Sequence, residues 1–264
     1  MAESGFPGAV NVSHLQVYDF PVPDADHILA GELGSGPGAG TALDWELVGG
    51  GTPHLHTVSA EAYVVLAGSG AVQTLDGSGA GQHALAPGEV FWFTPGTVHR
   101  LVNTGGLEIV VIMQNRGLPE AGDAVLTFPP DVLADPDRYQ QAVRLPSSDA
   151  GPDAVAEAAR RRRDLALEGY LVLRDRVEQH GPEALEPLHQ AAAVLVKPRL
   201  EEWTERWEQG ARAQADRTGQ QLARLAAGDA SYLADARHDH AEGHPGPRRA
   251  GMCGWLRTFP LGPG

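Results

Sequence analysis

The chain has 264 residues and a formal net charge of −14. A nucleic-acid backbone is itself polyanionic, so this acidic balance argues against DNA or RNA as a partner. No run approaches the ~20 apolar residues that a membrane-spanning helix needs, and the first residues lack the basic and apolar parts of a secretory signal. The single cysteine excludes an internal disulfide and is typical of a reducing compartment. We therefore predict a cytoplasmic protein without nucleic-acid or membrane partners.

The first 145 residues carry the pattern of strands. Short apolar or alternating runs are separated by Gly, Pro, Asp and Asn, which is typical of an all-β sandwich or barrel. The runs are LQVYDF, TALDWELV, EAYVVLAG, GAVQTL, EVFWFT, HRLVN and LEIVVIMQN. We predict that residues 1–145 form a β-barrel with an N-terminal arm.

Helical periodicity replaces this pattern after a linker at about residues 145–151. A long helix is predicted over about residues 152–180. A second helix follows, which Pro198 should kink or split, and a short helix is expected at about residues 214–227. From about Arg237 the chain is rich in His, Gly and Pro, and this tail is predicted to be irregular.

The second helix carries an apolar stripe that has to be buried against something. Its members are Leu185, Leu188, Ala192, Leu195, Leu200, Trp203 and Trp207. The outer face of the barrel and a second copy of the chain are the leading candidates, and a lid over the barrel mouth is the third. We predict that residues 146–264 form a helical extension with an irregular tail. A homodimer through the barrel or through this extension is a further expectation.

Two histidines in the segment PHLHTVSAE are the first sign of chemistry. His54 and His56 occupy alternate positions of an extended segment, so both imidazoles project from the same face. A tight hairpin turn over TVSA would bring Glu61, at the start of the next strand, back beside them. His99, on a strand that follows a Pro-Gly turn, can supply a further ligand. The sequence therefore offers three imidazoles and one carboxylate as candidate metal ligands.

This set of side chains favours a particular class of ion. Imidazole together with carboxylate suits first-row transition ions, so we predict one divalent iron, manganese, nickel, copper or zinc ion. Three histidines and a glutamate would leave open positions in a five- or six-coordinate shell. Such a position distinguishes a reactive centre from a structural one, because water, oxygen or substrate can bind there.

The same residues lie in two segments that resemble the signature motifs of the cupin superfamily. The first motif reads His-x-His, three or four residues, Glu, six residues, Gly, and is matched by His54, His56, Glu61 and Gly68. The second reads Gly, five residues, Pro-x-Gly, two residues, His, three residues, Asn, and is matched by Gly88, Gly96, His99 and Asn103. Two positions depart from the pattern. Gly49 lies one residue too close to His54, and Thr94 stands where the family has proline.

The resemblance covers about residues 40–115 and implies a small jelly-roll barrel, a double-stranded β-helix, ahead of the α-helical extension. It also implies the metal ligands His54, His56, Glu61 and His99. The reaction is indicated only weakly, because the superfamily includes dioxygenases, isomerases, epimerases, decarboxylases, lyases, sugar-binding sensors and storage proteins. The leading prediction is a metal-dependent oxygenase of the dioxygenase type, acting on a small and fairly apolar molecule. The alternatives are a metal-dependent isomerase or epimerase and a non-catalytic ligand sensor.

Two residues are predicted to take part in catalysis. Glu61 could act as a base if it leaves the metal ion, as the resemblance implies. Tyr63 shares the strand face of Glu61 and is a candidate orienting or proton-handling group, with core packing as the alternative. The barrel interior is expected to be largely apolar and aromatic. Candidate wall residues are Trp45, either Val90 with Trp92 or Phe91 with Phe93, and either Val110 with Ile112 and Gln114 or Val111 with Met113.

Four further features are predicted to carry no chemistry. The segment HDHAEGH, at residues 238–244, lacks a strand pattern that would hold its side chains in one shell, so a solvated loop is expected. The run Arg160–Arg163 is interpreted as a solvated helix face. Cys253 is expected to be a small residue in a packed turn. Asn103 is expected to hydrogen-bond a neighbouring loop.

Overall fold

A computed structural model of the chain describes residues 6–25, residue 28 and residues 48–261. Over these ranges the chain forms a ten-stranded antiparallel sheet and a set of helices that packs against one face of it. The strands are β1 (Asn11–Val17), β2 (Gly49–Gly50), β3 (His54–His56), β4 (Glu61–Asp76), β5 (Gly79–Leu85), β6 (Val90–Phe93), β7 (Val98–Met113), β8 (Ala124–Leu126), β9 (Arg249–Ala250) and β10 (Gly254–Thr258). The predicted run TALDWELV, which includes Trp45, lies outside the described residues except for Val48.

The central strands β4 and β7 are longer than the sequence pattern predicted. Each spans 16 residues, where the pattern predicted two short strands. β4 pairs with β7 through a series of register shifts between Val65 and Gly70. A bulge adds a residue to one strand and so moves the following side chains to the other face. Val65 and Val72 therefore both face the barrel interior, although an odd number of positions separates them.

Gly68, which the sequence pattern places at the end of a strand, lies instead within β4, among these register shifts. Gly68 has a φ of +78°, and a Cβ at this position would lie 2.2 Å from the carbonyl oxygen of Gly106. Only glycine combines this backbone conformation with such a close approach. The motif position is therefore structural.

The α-helices are α1 (Pro130–Leu133), α2 (Pro136–Val143), α3 (Pro152–His180), α4 (Glu186–Val196), α5 (Leu200–Trp207) and α6 (Ala213–Ala226). Shorter 3₁₀ segments lie at Pro7–Ala9, Ser148–Ala150, Pro182–Leu185, Lys197–Arg199 and Ser231–Asp235, and a π-helical turn spans Glu208–Arg212. α3 and α6 confirm the predicted long and short helices, and the 3₁₀ segment at Pro198 confirms the predicted break. Two helices begin before residue 145. The domain division at residue 145 stays a prediction.

Two hydrophobic clusters lie on opposite faces of the sheet. The interior cluster contains Leu101 of β7, and the cluster beneath the helices contains Val98 and Val102 of the same strand. Side chains alternate along a strand, so β7 supplies both clusters. Leu167 and Tyr170 of α3 belong to the second cluster. The helical extension therefore packs on the outer face of the barrel, which was the first of the three arrangements considered.

The apolar stripe of the extension is buried only in part. The buried members are Leu185, Leu188, Ala192, Leu195 and Trp203. Leu200 and Trp207 are 45% and 40% exposed, which corrects the prediction of one continuous buried stripe. The 3₁₀ segment at Pro198 advances by about 3.0 residues per turn rather than 3.6. The buried face of α5 is consequently out of phase with that of α4.

The arginine run on α3 is solvated only in its first half, which corrects the sequence-based prediction. Arg161 is exposed, but Arg162 and Arg163 are buried. The guanidinium of Arg163 donates to the backbone carbonyl oxygens of Phe20, Pro21 and Gly50. Successive helical residues project about 100° apart, so four consecutive arginines cannot all face solvent on a helix that is packed against a sheet.

The tail returns to the sheet. β10 pairs with β1, and β9 pairs with β10, so the prediction of an irregular tail is wrong for this segment. Residues 236–248 carry no helix or strand, and His238, His240 and His244 within them are exposed, as predicted. Within the described ranges, no helix has the length and apolar character that crossing a bilayer requires.

Candidate metal centre

Three imidazoles and one carboxylate meet inside the barrel. Each of His54, His56, Glu61 and His99 offers one ligand atom, and these atoms all lie within 4.8 Å of one another. All four residues are buried. Among the residues that the structure describes, this is the one group of three or more His, Cys, Asp or Glu side chains arranged to hold a metal ion.

Strand pairing brings the four residues together, although not by the predicted hairpin. β3 pairs with β7 and β8 rather than with β4, and His54 lies opposite His99 in the β3–β7 pairing. Glu61, at the start of β4, comes back after a turn at residues 57–60. Its Oε2 atom lies 3.2 Å from Nε2 of His56 and 3.1 Å from Nε2 of His99.

Backbone carbonyls fix the orientation of two of the imidazoles. The Nδ1 atom of His54 lies 2.8 Å from the carbonyl oxygen of Thr52, and that of His99 lies 3.2 Å from the carbonyl oxygen of Thr97. A carbonyl oxygen can only accept a hydrogen bond, so each Nδ1 atom carries the hydrogen. The lone pair on Nε2 of both rings is therefore free to bind a cation.

Electrostatics separates the ligand residues into different charge states. Burial lowers the pKa of His54 well below its usual value, and the neighbouring imidazoles lower it further, so this ring is neutral. Burial opposes ionisation of Glu61, but contacts with His56 and His99 hold the pKa of its carboxyl group below the usual range. Burial also opposes a charge on His56, yet the carboxylates of Asp123 and Glu61 outweigh it and raise its pKa to about 9. The metal-free centre therefore holds a proton that a cation would displace.

Removal of metal ions should make the stability of the protein depend on pH. The folded-state pKa of His56 is about 9, against an ordinary value of 6.5. Its contribution is fully present below about pH 6.5 and is lost as the pH rises through about 9, because the folded state binds the extra proton in this window. Denaturant unfolding of chelator-treated protein across this pH range measures the effect. A His56→Gln protein should give a flatter profile, and equal pH profiles for the two proteins would contradict this assignment.

The four residues fit a bound transition ion. Oε2 of Glu61 and Nε2 of His99 are buried atoms without a hydrogen-bond partner among the described residues. In the neutral form of His99 their lone pairs face each other, and a cation between them would satisfy both. Imidazole nitrogen with carboxylate oxygen is the donor set of first-row transition ions. The identity of the ion is not determined by this set.

The match to a family model covers this part of the chain. Residues 45–113 match the family described as "Cupin domain", and this range includes all four clustered residues. The chain contains a cupin domain. The predicted fold is thereby confirmed. The strands form the cupin β-barrel, whose sheet is open rather than closed, and the helical extension follows it.

Among solved structures, the chain is similar to KdgF from Halomonas sp., with 23% identity over 24% of this chain and 56% of that one, at a TM-score of 0.22. It is similar to a TDP-quinovose 3,4-ketoisomerase from Campylobacter jejuni, with 14% identity over 28% of this chain and 57% of that one, at a TM-score of 0.26. It is also similar to oxalate decarboxylase from Bacillus subtilis, with 22% identity over 32% of this chain and 24% of that one, at a TM-score of 0.28. The chain thus spans just over half the length of the first two proteins. No curated protein matches it significantly.

The interior wall of the cupin domain is apolar and aromatic, and its orientation settles two open alternatives. Phe93 stacks on His99 with ring centroids 4.0 Å apart, while Trp92 is 69% exposed, so Phe91 and Phe93 form the inward pair of β6. Val111 and Met113 form the inward pair of β7. His56 and Glu61 each keep 7% of their surface exposed, whereas His99 keeps none. The slight exposure at the centre therefore lies on the side of His56 and Glu61.

Tyr63 lies fully buried on the inward face of β4, with its ring centroid 5.4 Å from that of Phe93. Its hydroxyl has no hydrogen-bond partner among the described residues. Burial and the negative charge of Glu61 raise the pKa of Tyr63 well above 10. The hydroxyl thus stays protonated and can donate a hydrogen bond, but it is a poor base. Its part in catalysis stays a prediction.

The remaining motif residues support the cupin domain without touching the centre. Asn103 donates to the carbonyl oxygen of Val17 and accepts from the backbone amides of Gly105 and Leu107, which confirms the predicted structural role. Gly96 has a φ of +88°, and its amide donates to the carbonyl oxygen of His56. This bond ties the turn before His99 to the strand that carries the first two histidines.

Asp123 is the residue near the centre that sequence reasoning missed. It is fully buried, and its Oδ2 atom lies 3.5 Å from Nδ1 of His56. It belongs to neither sequence motif, and a lone aspartate before a three-residue strand gives no signal of its own. Cys253, which the sequence placed in a packed turn, is buried beside the carbonyl oxygen of Thr52, and burial raises the pKa of its thiol above the usual range.

A separate cavity of about 250 Å³ lies between α1, α3 and α4. Thr127, Phe128 and Gly169 contribute to its walls, and none of the four clustered residues does.

Proposed function

We propose that the chain is a metal-dependent enzyme acting on a small organic molecule, and that its reaction is an oxygenase reaction of the dioxygenase type. The observation that carries this proposal is the convergence of three imidazole nitrogens and one carboxylate oxygen within 4.8 Å inside the cupin domain. Four protein ligands leave positions open in a five- or six-coordinate shell, which is the arrangement of a reactive centre.

Each residue has a part that follows from its contacts. His54 and His99 would hold the ion through Nε2, because their Nδ1 atoms are committed to backbone carbonyls. His56 and Glu61 would complete the set from the side that retains solvent exposure. A bound first-row ion supplies Lewis-acid or one-electron chemistry at the open positions. Glu61 can accept a proton from substrate if its carboxylate leaves the ion.

The surroundings favour a small, uncharged and fairly apolar substrate. Phe93 and Met113 belong to the interior wall, and apolar walls with few polar groups are typical of small-molecule sites. Arg100, which follows His99 in the sequence, faces α3 and is paired with Asp24 there. It is therefore not placed to bind a phosphate or carboxylate group of a substrate at the centre.

The experiment is elemental analysis of protein purified without a histidine tag, followed by oxygen-uptake measurements with phenolic and diketone compounds. One ion per chain, a coloured or paramagnetic protein and oxygen uptake would support the oxygenase. Turnover without oxygen by a zinc or nickel protein would support an isomerase or epimerase instead, and thermal stabilisation by a compound without turnover would support a sensor. A His56→Ala protein should lose the ion, while His83→Ala, which changes an exposed histidine, should retain it. Absence of metal from wild type would refute the oxygenase, the isomerase or epimerase, and the sensor alike.

Replacement of Tyr63 by phenylalanine tests its predicted catalytic part. Because the hydroxyl lies beside Glu61 without a hydrogen bond of good geometry among the described residues, its removal should leave the protein folded and the metal ion bound. If the hydroxyl orients substrate, kcat should fall about tenfold, the effect of losing one hydrogen bond worth about 1.4 kcal/mol. Steady-state kinetics and elemental analysis of the Tyr63→Phe protein measure both quantities. An unchanged kcat would leave core packing as the role of this residue.

A further inference from the structure

We propose that Asp123 is a positioning residue for the metal centre: its carboxylate holds the Nδ1 hydrogen of His56 and so keeps Nε2 of that ring available to the ion. This inference rests on the metal-dependent function proposed above. It adds to the site a residue that lies outside both sequence motifs.

The carboxylate of Asp123 is clamped so that one oxygen faces His56. Its Oδ1 atom accepts hydrogen bonds from the amide and hydroxyl of Thr57, both at 2.7 Å, and from the amide of Val58 at 3.0 Å. Its Oδ2 atom is left 3.5 Å from Nδ1 of His56. Both Oδ2 and this Nδ1 are buried and make no hydrogen bond of good geometry within the described part of the chain, where the hydroxyl of Ser59 is a further neighbour of the carboxylate. Each atom is therefore the natural partner of the other.

Strand pairing fixes the position of Asp123 relative to His56. Asp123 immediately precedes β8, and β8 pairs with β3 so that His56 lies opposite Ala124. The amides of Thr57 and Val58, which hold the carboxylate, belong to the turn that leads from His56 to Glu61. The same short segments therefore place the imidazole, the carboxylate behind it and the acidic ligand.

The partner of the Nδ1 atom distinguishes His56 from the other two histidines. His54 and His99 donate from Nδ1 to neutral backbone carbonyls, whereas His56 faces a charged carboxylate. A carboxylate behind a ligating imidazole fixes its tautomer and raises its basicity as a ligand. Glu61 and Asp123 also bring two negative charges to a buried centre, and two negative charges balance one divalent cation.

The Asp123→Asn variant separates this role from a purely structural one. Asparagine keeps an oxygen for Thr57 and Val58 and presents an amide NH₂ to His56. The amide can only donate, so Nδ1 would have to accept and the hydrogen would move to Nε2, which removes the ligand lone pair. We expect the affinity for Co²⁺ and Zn²⁺, measured by chelator competition, to fall about 10- to 100-fold. The Co²⁺ absorption spectrum should change as well, while the metal-free variant should still fold.

Asp131→Asn is the matched control, because it makes the same substitution at an aspartate that is 66% exposed and lies outside the cluster. Its metal affinity should stay within about threefold of wild type, well below the 10-fold loss expected from the loss of a ligand-orienting partner. If Asp123→Asn binds Co²⁺ and Zn²⁺ as tightly as wild type, the inference is wrong and the proposed function stands. If wild type binds neither ion, the proposed function and the inference both fall.

A second measurement needs no variant. In zinc-loaded wild type, the proton NMR signal of the His56 Nδ1 hydrogen should lie downfield of those of His54 and His99, since a carboxylate is a stronger acceptor than a carbonyl. Three equivalent signals would overturn the inference even if the asparagine protein could not be folded.

Discussion

The Glu61→Gln protein should lose the stabilisation that metal ions confer on wild type, while its metal-free form remains folded. Glutamine has nearly the shape of glutamate, so the buried space at the centre stays filled. It carries no charge, however, and a neutral amide is a much poorer ligand for a transition ion than a carboxylate. The carboxylate of Glu61 lies within 3.2 Å of two of the three imidazoles. Its charge is therefore central to the attraction for a cation.

The measurement is thermal or denaturant unfolding with and without added Fe²⁺, Mn²⁺ and Zn²⁺. An ion present at 100 times its Kd stabilises the folded state by about 2.7 kcal/mol. Wild type should show this gain, and Glu61→Gln should show almost none of it. His83→Ala, altered on the exposed surface of β5, is the control and should respond as wild type does. An equal gain in the Glu61→Gln protein would mean that the ion binds elsewhere.

Replacement of Asp24 by alanine should destabilise the protein by about 3–5 kcal/mol, the cost of leaving a buried charge unpaired. Arg100 is fully buried and donates two hydrogen bonds, of 2.7 and 2.8 Å, to the carboxylate of Asp24. Burial opposes ionisation of Asp24, but the hydrogen bonds from Arg100 hold its pKa below the usual value, so the pair is ionic. The guanidinium also lies over the ring of Tyr170 of α3. The pair thus joins the barrel to the helical extension.

An exposed pair of the same chemistry provides the control. Arg138 and Asp131 contact each other at 3.0 Å, but their side chains are 53% and 66% exposed. Asp131→Ala should cost no more than about 1 kcal/mol, because water screens such a pair. The double variant Asp24→Ala with Arg100→Met should recover much of the loss, since no unpaired charge remains. Urea unfolding measures all three proteins, and equal losses for Asp24→Ala and Asp131→Ala would refute the structural role.

Much of the centre could be predicted from the sequence because its signals are local. The alternation of His54 and His56, the glutamate after a turn and the histidine after a Pro-Gly turn each depend on a few neighbouring residues. The cluster unites these same four residues. The limits of α3 were predictable for the same reason, since a proline at its start and a glycine after its end are local signals.

Other features depended on partners far away in the sequence. The sequence around Arg162 and Arg163 predicts a solvated run, yet α3 packs against the sheet and both side chains are buried there. The strand at Gly254–Thr258 lies in a tail rich in His, Gly and Pro and was not recognised from the sequence, but it pairs with β1 at the other end of the chain. Short strands gain their stability from pairing rather than from intrinsic preference. Their existence is therefore decided by tertiary contacts.

The sequence by itself determined which four side chains could bind a metal ion, because ligand chemistry and strand alternation act over a few residues. Only the tertiary structure decided that β3 pairs with β7 and β8 instead of β4, and that Asp123 lies behind His56. It also decided that two arginines are buried and that the helices cover the outer face of the barrel. The physical reason is that burial and strand register depend on which distant segments come together. The sequence around a residue does not reveal which distant residue it will contact.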